Sequence, residues 1–293
     1  MRVHILIIAS CLLASAFSVV AQDTNAGRVL IIGIDGCRPD ALLAAKTPYI
    51  GGLVKNGASS FQAQTGIPTV SGPGWSSALT GVWGEKHHVW ANTFLIPDRL
   101  ARYPVFFHYL KQAQTNAVTA SIVHWAPINE HIITNTDIIS THKTDEDVTK
   151  MAIMVLRNKN LRAIFVHFED VDTTGHTFRF APDSPQYIKA IEATDGYVGQ
   201  IIRALHARKN YDQENWLVIL TTDHGGHDTT HGKDIPEDRT IFVIVSGAAA
   251  ARGTIDPPPG IVDVAATALK HLDVPIDPAW ELDGKPVGLR QAR

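Results

Sequence analysis

Cysteine is nearly absent from this chain. Of 293 residues only Cys11 and Cys37 are cysteines, which excludes a disulfide framework and a thiolate zinc cluster. An excess of one charge is missing too: 26 Lys and Arg stand against 29 Asp and Glu, a formal net charge of −3. No basic run of the kind that grips a nucleic-acid backbone exists, so sequence-specific nucleic-acid binding is not expected. The apolar run that stands out lies at the start, in "MRVHILIIASCLLASAFSVVAQ". A positive start, an apolar stretch and small residues before Gln22 read as a secretory signal peptide over residues 1–21, cut after Ala21. The alternatives are an uncleaved membrane anchor and a lipid-bearing Cys11 in "IASC". The run is short and has no stop-transfer charges after it, which opposes the first; it continues well past Cys11, which opposes the second. The expectation is an exported protein, periplasmic or extracellular, with no stable membrane anchor after cleavage. Cys37 is then alone, and stability has to come from the core, from metal ions, or from both.

What is present describes a globular protein: 45% of residues are hydrophobic and 19% charged. "RVLIIGIDG" is a continuous apolar run of the kind that fills a buried parallel strand. Further strands are expected in "ASSFQAQ", "AVTASIV", "LRAIFVHFED", "WLVILTTD" and "RTIFVIVSG". Helices are expected between them, in "PDALLAAK", "TPYIGGLVKNG", "GPGWSSALTG", "YPVFFHYLKQAQ", "TDEDVTKMAIMVLRNK", "SPQYIKAIEATDGYVGQIIRALHARK" and "IVDVAATALKHL". Thr144 is a candidate N-cap with acids in the turn after it, and Gly81 a candidate helix end. Alternation of strands and helices predicts an α/β fold, a three-layer α/β/α sandwich with a mostly parallel central sheet. No linker or repeat interrupts it, so residues 22–293 read as a single domain.

Three of these strands end in acid: Asp35 after the first, Glu169, Asp170 and Asp172 after "IFVHF", and Asp223 after "LVILTT". Open α/β sheets bind ligands outside the carboxyl ends of their strands, and clustered carboxylates repel unless a cation joins them. Asp172 and His176 are four apart, a spacing that puts both on one side of a helical turn. "TTDHGGHDTTHG" adds Asp223, His224, His227 and His231. Oxygen and imidazole donors without thiolates suit zinc. Ser71 precedes a Pro- and Gly-containing helix start, where free N–H groups face an anion; a metal that lowered its pKa would make it a nucleophile, while the plainer role is an N-cap.

"VLIIGIDGCRPDAL", "PTVSGPGWSSALTGVWGEKHHV", "DVDTTGH" and "TTDHGGHDTTHG" together resemble the alkaline phosphatase superfamily, and within it the nucleotide pyrophosphatase/phosphodiesterase branch. The resemblance runs over nearly the whole chain after residue 21. It implies two divalent metal ions, zinc foremost: Asp35, Asp223 and His224 on one, with the Ser71 oxygen facing it, and Asp172, His176 and His231 on the other. His227 would then be outer or structural, and His87 and His88 shape a helix end. The implied function is hydrolysis of a small-molecule phosphate ester, diesters foremost, through a phospho-serine at Ser71. The alternatives are a phosphomonoesterase, for which Arg38 would be the added cation unless it makes a surface ion pair, and an inactive metal-stabilised binding protein. Two features depart from the branch. Its nucleophile is usually threonine, and the asparagine it usually carries three residues later to bind a phosphoryl oxygen is replaced by Gly74. That contact is then absent, supplied from elsewhere, or replaced in part by the backbone N–H groups of Gly72 and Gly74, and Gly74→Asn is expected to keep or raise diester activity. Trp75 sits where the sulfatase branch has arginine, so conversion to formylglycine is not expected. Trp75, Trp90 and Trp125 are candidates for stacking on a leaving group, with packing as the alternative.

Overall fold

The structure, a computed structural model, describes residues 26–94 and 98–291. The expected signal peptide and Cys11 lie outside them. Among the described residues eight strands form one sheet: β1 (Gly27–Ile34), β2 (Gly57–Gln64), β3 (Val118–Val123), β4 (Ile138–Thr141), β5 (Leu161–Phe168), β6 (Asn215–Thr221), β7 (Thr240–Gly247) and β8 (Gly253–Thr254). Their spatial order is β4-β3-β5-β1-β6-β7-β2-β8. β7 alone runs against its neighbours, pairing antiparallel with β6 and β2. The sheet is therefore mostly parallel, as expected.

Successive side chains of a strand point to opposite faces, and here both faces are apolar. Val29 and Ile31 of β1 join one core, with Phe165 of β5 and Ile219 of β6. Leu30, Ile32 and Ile34 join the other, with Val166 and Leu220. The described residues form ten α-helices, most of which cover these faces: α1 (Pro39–Ala44), α2 (Pro48–Lys55), α3 (Ser71–Thr80), α4 (Gly84–His87), α5 (Phe106–Ala113), α6 (Asp145–Val155), α7 (Asp170–Phe178), α8 (Pro185–His206), α9 (Pro236–Arg239) and α10 (Asp263–His271). α3, α5 and α10 pack on the first face, α1, α2, α6, α7 and α8 on the second. This is the three-layer sandwich. No helix among the described residues is long and apolar enough to cross a membrane.

The local signals act as their chemistry requires. Thr144 caps α6, its hydroxyl accepting from the Asp147 N–H at 3.1 Å. Gly81 ends α3 at φ +77°, a conformation that costs a residue with a Cβ about 1–2 kcal/mol. α6 is shorter than the sequence suggested and stops at Val155.

β5, β1 and β6 lie side by side and parallel. Their carboxyl ends therefore open on one edge, and Asp35, Glu169 and Asp223 are the residues found there.

Candidate active site

Asp35 follows the central strand and is fully buried. α3 begins at Ser71, its first helical residue, with Val70 in the cap position. Ser71 is thus not an N-cap. Its Oγ lies 3.4 Å from Asp35 Oδ1 and 3.4 Å from His224 Nε2. Asp223 and His224 come from the end of β6, and both are fully buried. Asp35, Asp223 and His224 offer ligand atoms that all lie within 4.8 Å of one another.

α7 starts right after β5, and its i, i+4 spacing sets His176 over Asp172, Nε2 to Oδ2 at 3.3 Å. His231 arrives from the loop after β6, its Nε2 3.1 Å from His176 Nε2 and 3.7 Å from Asp172 Oδ1. Carbonyls aim both rings: His176 Nδ1 donates to Thr229 O and His231 Nδ1 to Thr69 O, each at 2.9 Å. His224 lies between the two groups, its ring stacked on His231 at 3.8 Å, and also groups with Asp172 and His231. The seven residues Asp35, Ser71, Asp172, His176, Asp223, His224 and His231 thus share one basin. His227 stands apart, its Nδ1 2.8 Å from the buried Asp238 carboxylate.

The basin fits cations. Asp172 Oδ1 and Asp223 Oδ2 are buried without a hydrogen-bond partner, a costly state for a carboxylate oxygen. Two ligands of one tetrahedral zinc stand about 3.3 Å apart, close to the His176–His231 and His176–Asp172 separations. Without cations, protons have to relieve the repulsion. Burial first, then Asp35, holds the Asp223 carboxyl far above the ordinary range. Burial, then Asp35 and Asp172, pushes Glu169 up to about 11. His224 is raised to about 9: burial opposes its charge, but Asp223 and Asp35 outweigh it. His231 falls to about 4 through burial and the neighbouring His224. Metal binding displaces such protons.

The two glycine expectations change here, and for Arg38 and Trp75 the plainer of the two readings holds. Neither glycine N–H is free: Gly72 donates to Asn92 Oδ1 at 2.7 Å and Gly74 to Val70 O at 3.0 Å. A Cβ at Gly74 would lie 2.9 Å from Asp223 Cβ, so an asparagine there has no room. Arg38 is engaged, donating to the carbonyls of Phe180 and Gly226 at 2.9 Å each and pairing with Asp40. Trp75 is fully buried and cannot stack on a ligand. Its indole instead donates to Asp35 Oδ2 at 2.8 Å. His87, expected to be structural, is buried and held between Ser77 Oγ and the Val89 N–H.

Sequence reasoning passed over Asn92, whose Oδ1 accepts from the N–H of Gly72, the residue after Ser71, and His167. His167 is fully buried on β5, with Nε2 3.0 Å from Asp35 Oδ2. A histidine inside a mostly apolar strand, two residues before an acid, was the available signal.

The family model described as type I phosphodiesterase / nucleotide pyrophosphatase matches residues 29–271. The chain belongs to that family. Among curated relatives of this phosphodiesterase family, human ectonucleotide pyrophosphatase/phosphodiesterase family member 5 is 22% identical over 90% of this chain and 58% of its own length. Human bis(5'-adenosyl)-triphosphatase ENPP4 is 23% identical over 68% and 47%. The chain thus spans about half the length of these relatives. Among solved structures, murine ENPP5, an inactive form in complex with AMP, aligns with a TM-score of 0.69 at 16% identity, over 85% of this chain and 96% of that one. A 2-O GAG sulfatase aligns at 0.70 and 13%, over 89% and 73%. These likenesses concern the fold, and they agree with an alkaline phosphatase-like architecture.

Proposed function

We propose that this chain is an exported, two-metal hydrolase of small phosphate esters, diesters foremost, acting through a phospho-serine at Ser71. The observation that carries the reading is the place of the Ser71 oxygen, 3.4 Å from both Asp35 and His224 in a basin of buried carboxylates rimmed by imidazoles. Asp35, Asp223 and His224, with Ser71, would hold one cation, and Asp172, His176 and His231 the other. Zinc suits these donors. The cations would lower the pKa of the attacking hydroxyl and offset the charge on the phosphoryl oxygens.

The chain's own residues do the rest. Ser71 Oγ forms a bond to phosphorus while the bond to the leaving oxygen breaks, and the serine proton departs with the leaving alcohol or to solvent. Water then attacks phosphorus and frees Ser71. Asn92, held by the Gly72 N–H through its Oδ1, keeps both amide hydrogens to offer a phosphoryl oxygen, in place of the glycine N–H groups. Arg38, tied to two carbonyls and a carboxylate, is not available to a phosphate dianion, which favours the diester over the monoester.

The test compares bis(4-nitrophenyl) phosphate with 4-nitrophenyl phosphate, which share a leaving group. Purified protein should carry two divalent ions per chain. Its kcat/KM for the diester should exceed that for the monoester by at least about tenfold. A faster monoester would replace this reading with a phosphatase, and full activity in strong chelator would remove the metals from it.

A further inference from the structure

From the packing around Asp35 we infer that His167 and Trp75 form a clamp on its outer oxygen, making both positioning residues for the nucleophile and its cation. Asp35 Oδ2 receives Trp75 Nε1–H at 2.8 Å and His167 Nε2 at 3.0 Å. Oδ1 is left to face Ser71 Oγ and His224 Nε2, each at 3.4 Å. The carboxylate therefore has one oxygen held and one oxygen presented.

The clamp is built into three elements. Gly33 of β1 pairs with His167 of β5 in register, and a Cβ at Gly33 would overlap the Trp75 indole. The missing side chain thus makes the slot through which the ring of α3 reaches Asp35. The indole meets the imidazole edge-on, centroids 5.1 Å apart and planes at 85°. The backbone N–H of Trp125 faces His167 Nδ1 at 3.5 Å, and Nε2, 3.0 Å from a carboxylate oxygen, is the nitrogen placed to donate. Asp35 and both clamp residues are fully buried, so water cannot replace a lost donor without a cavity. Hydrogen bonds behind a ligand fix its orientation, and losing one commonly costs about 10–100-fold in metal affinity.

The inference rests on the two-cation reading, and two readouts separate them. His167→Gln keeps an N–H near the Nε2 position, His167→Met keeps apolar volume without a donor, and Trp75→Phe keeps a ring without its N–H. Zinc affinity is measured by competition with a chelating dye, beside kcat and KM on bis(4-nitrophenyl) phosphate. Metal-free protein labelled with 15N in its tryptophan indoles reports the Trp75 N–H directly. His167→Met should weaken zinc binding at least tenfold and lower kcat more than it changes KM. His167→Gln should recover most of both. In metal-free protein, the Trp75 indole signal should be slow to exchange and should move in His167→Met. A folded His167→Met protein with unchanged zinc affinity, kcat and indole signal overturns the clamp and leaves the hydrolase standing. If the unaltered protein binds no cation and turns over no ester, the two-metal reading falls. The indole signal then decides the clamp alone: a Trp75 N–H that exchanges freely overturns it.

Discussion

Adding one carbon at Gly74 should separate the stability of this protein from its activity. In Gly74→Ala the new Cβ would lie 2.9 Å from Asp223 Cβ and 3.1 Å from the Asp223 carbonyl oxygen. Carbon atoms pack best at about 3.5–4.0 Å, so the start of α3 and the end of β6 must part by about 0.6 Å or more. Stability meets two opposing effects. Alanine in place of glycine inside a helix gains about 1 kcal/mol, while overpacking a full core costs about 1–3 kcal/mol. The net loss is about 0–2 kcal/mol, which a domain of this size survives. Activity has no such compensation. The two parts forced apart are the helix that begins with Ser71 and the residue proposed to hold its cation, and a displacement near 1 Å can cost about 100-fold in rate, or about 2.7 kcal/mol of barrier. Urea unfolding of the metal-free protein reads the first effect; kcat/KM on bis(4-nitrophenyl) phosphate and zinc content read the second. Gly74→Asn, with a longer side chain in the same space, should fare worse. Wild-type turnover in a folded Gly74→Ala protein would refute the reasoning, because the strain would then have been absorbed away from Asp223.

Ser71→Ala should abolish turnover and leave fold and metal content nearly intact, and Ser71→Thr should keep measurable activity; normal turnover in Ser71→Ala would mean that water attacks directly. Arg38→Ala should lower diester and monoester kcat/KM by a similar factor of about ten, because Arg38 ties the carbonyls of Phe180 and Gly226 together; a loss confined to the monoester would make it a substrate cation. Acid should weaken the metal-free fold through His87, which burial first and His88 second lower from 6.5 to about 4. The unfolded chain then binds that proton more readily, so the contribution is full above about pH 6.5 and declines as pH falls toward 4, by about 2 kcal/mol between pH 7 and 5. The difference in urea midpoint between those pH values should shrink in His87→Gln, and an unchanged difference would assign the acid sensitivity elsewhere.

Asp35 and Asp223 stood out because an acid just after an apolar strand is costly unless something at the sheet edge uses it, and Asp172 because it stands one helical turn before His176. The sandwich was legible for a related reason: strands apolar on both faces need helices on both. The positioning contacts were not legible. Asn92 reaches Gly72 across 20 residues and His167 reaches Asp35 across 132, and no local period links such pairs. Glycine misled most. At Gly72 and Gly74 its small size suggested backbone open to a ligand, yet both N–H groups are already bonded, and at Gly74 the space is taken by Asp223. A missing side chain is read the same way in sequence whether the room it leaves goes to substrate or to protein. Only the neighbour that occupies the room distinguishes them: Asp223 at Gly74, and at Gly33 the Trp75 ring on its way to Asp35.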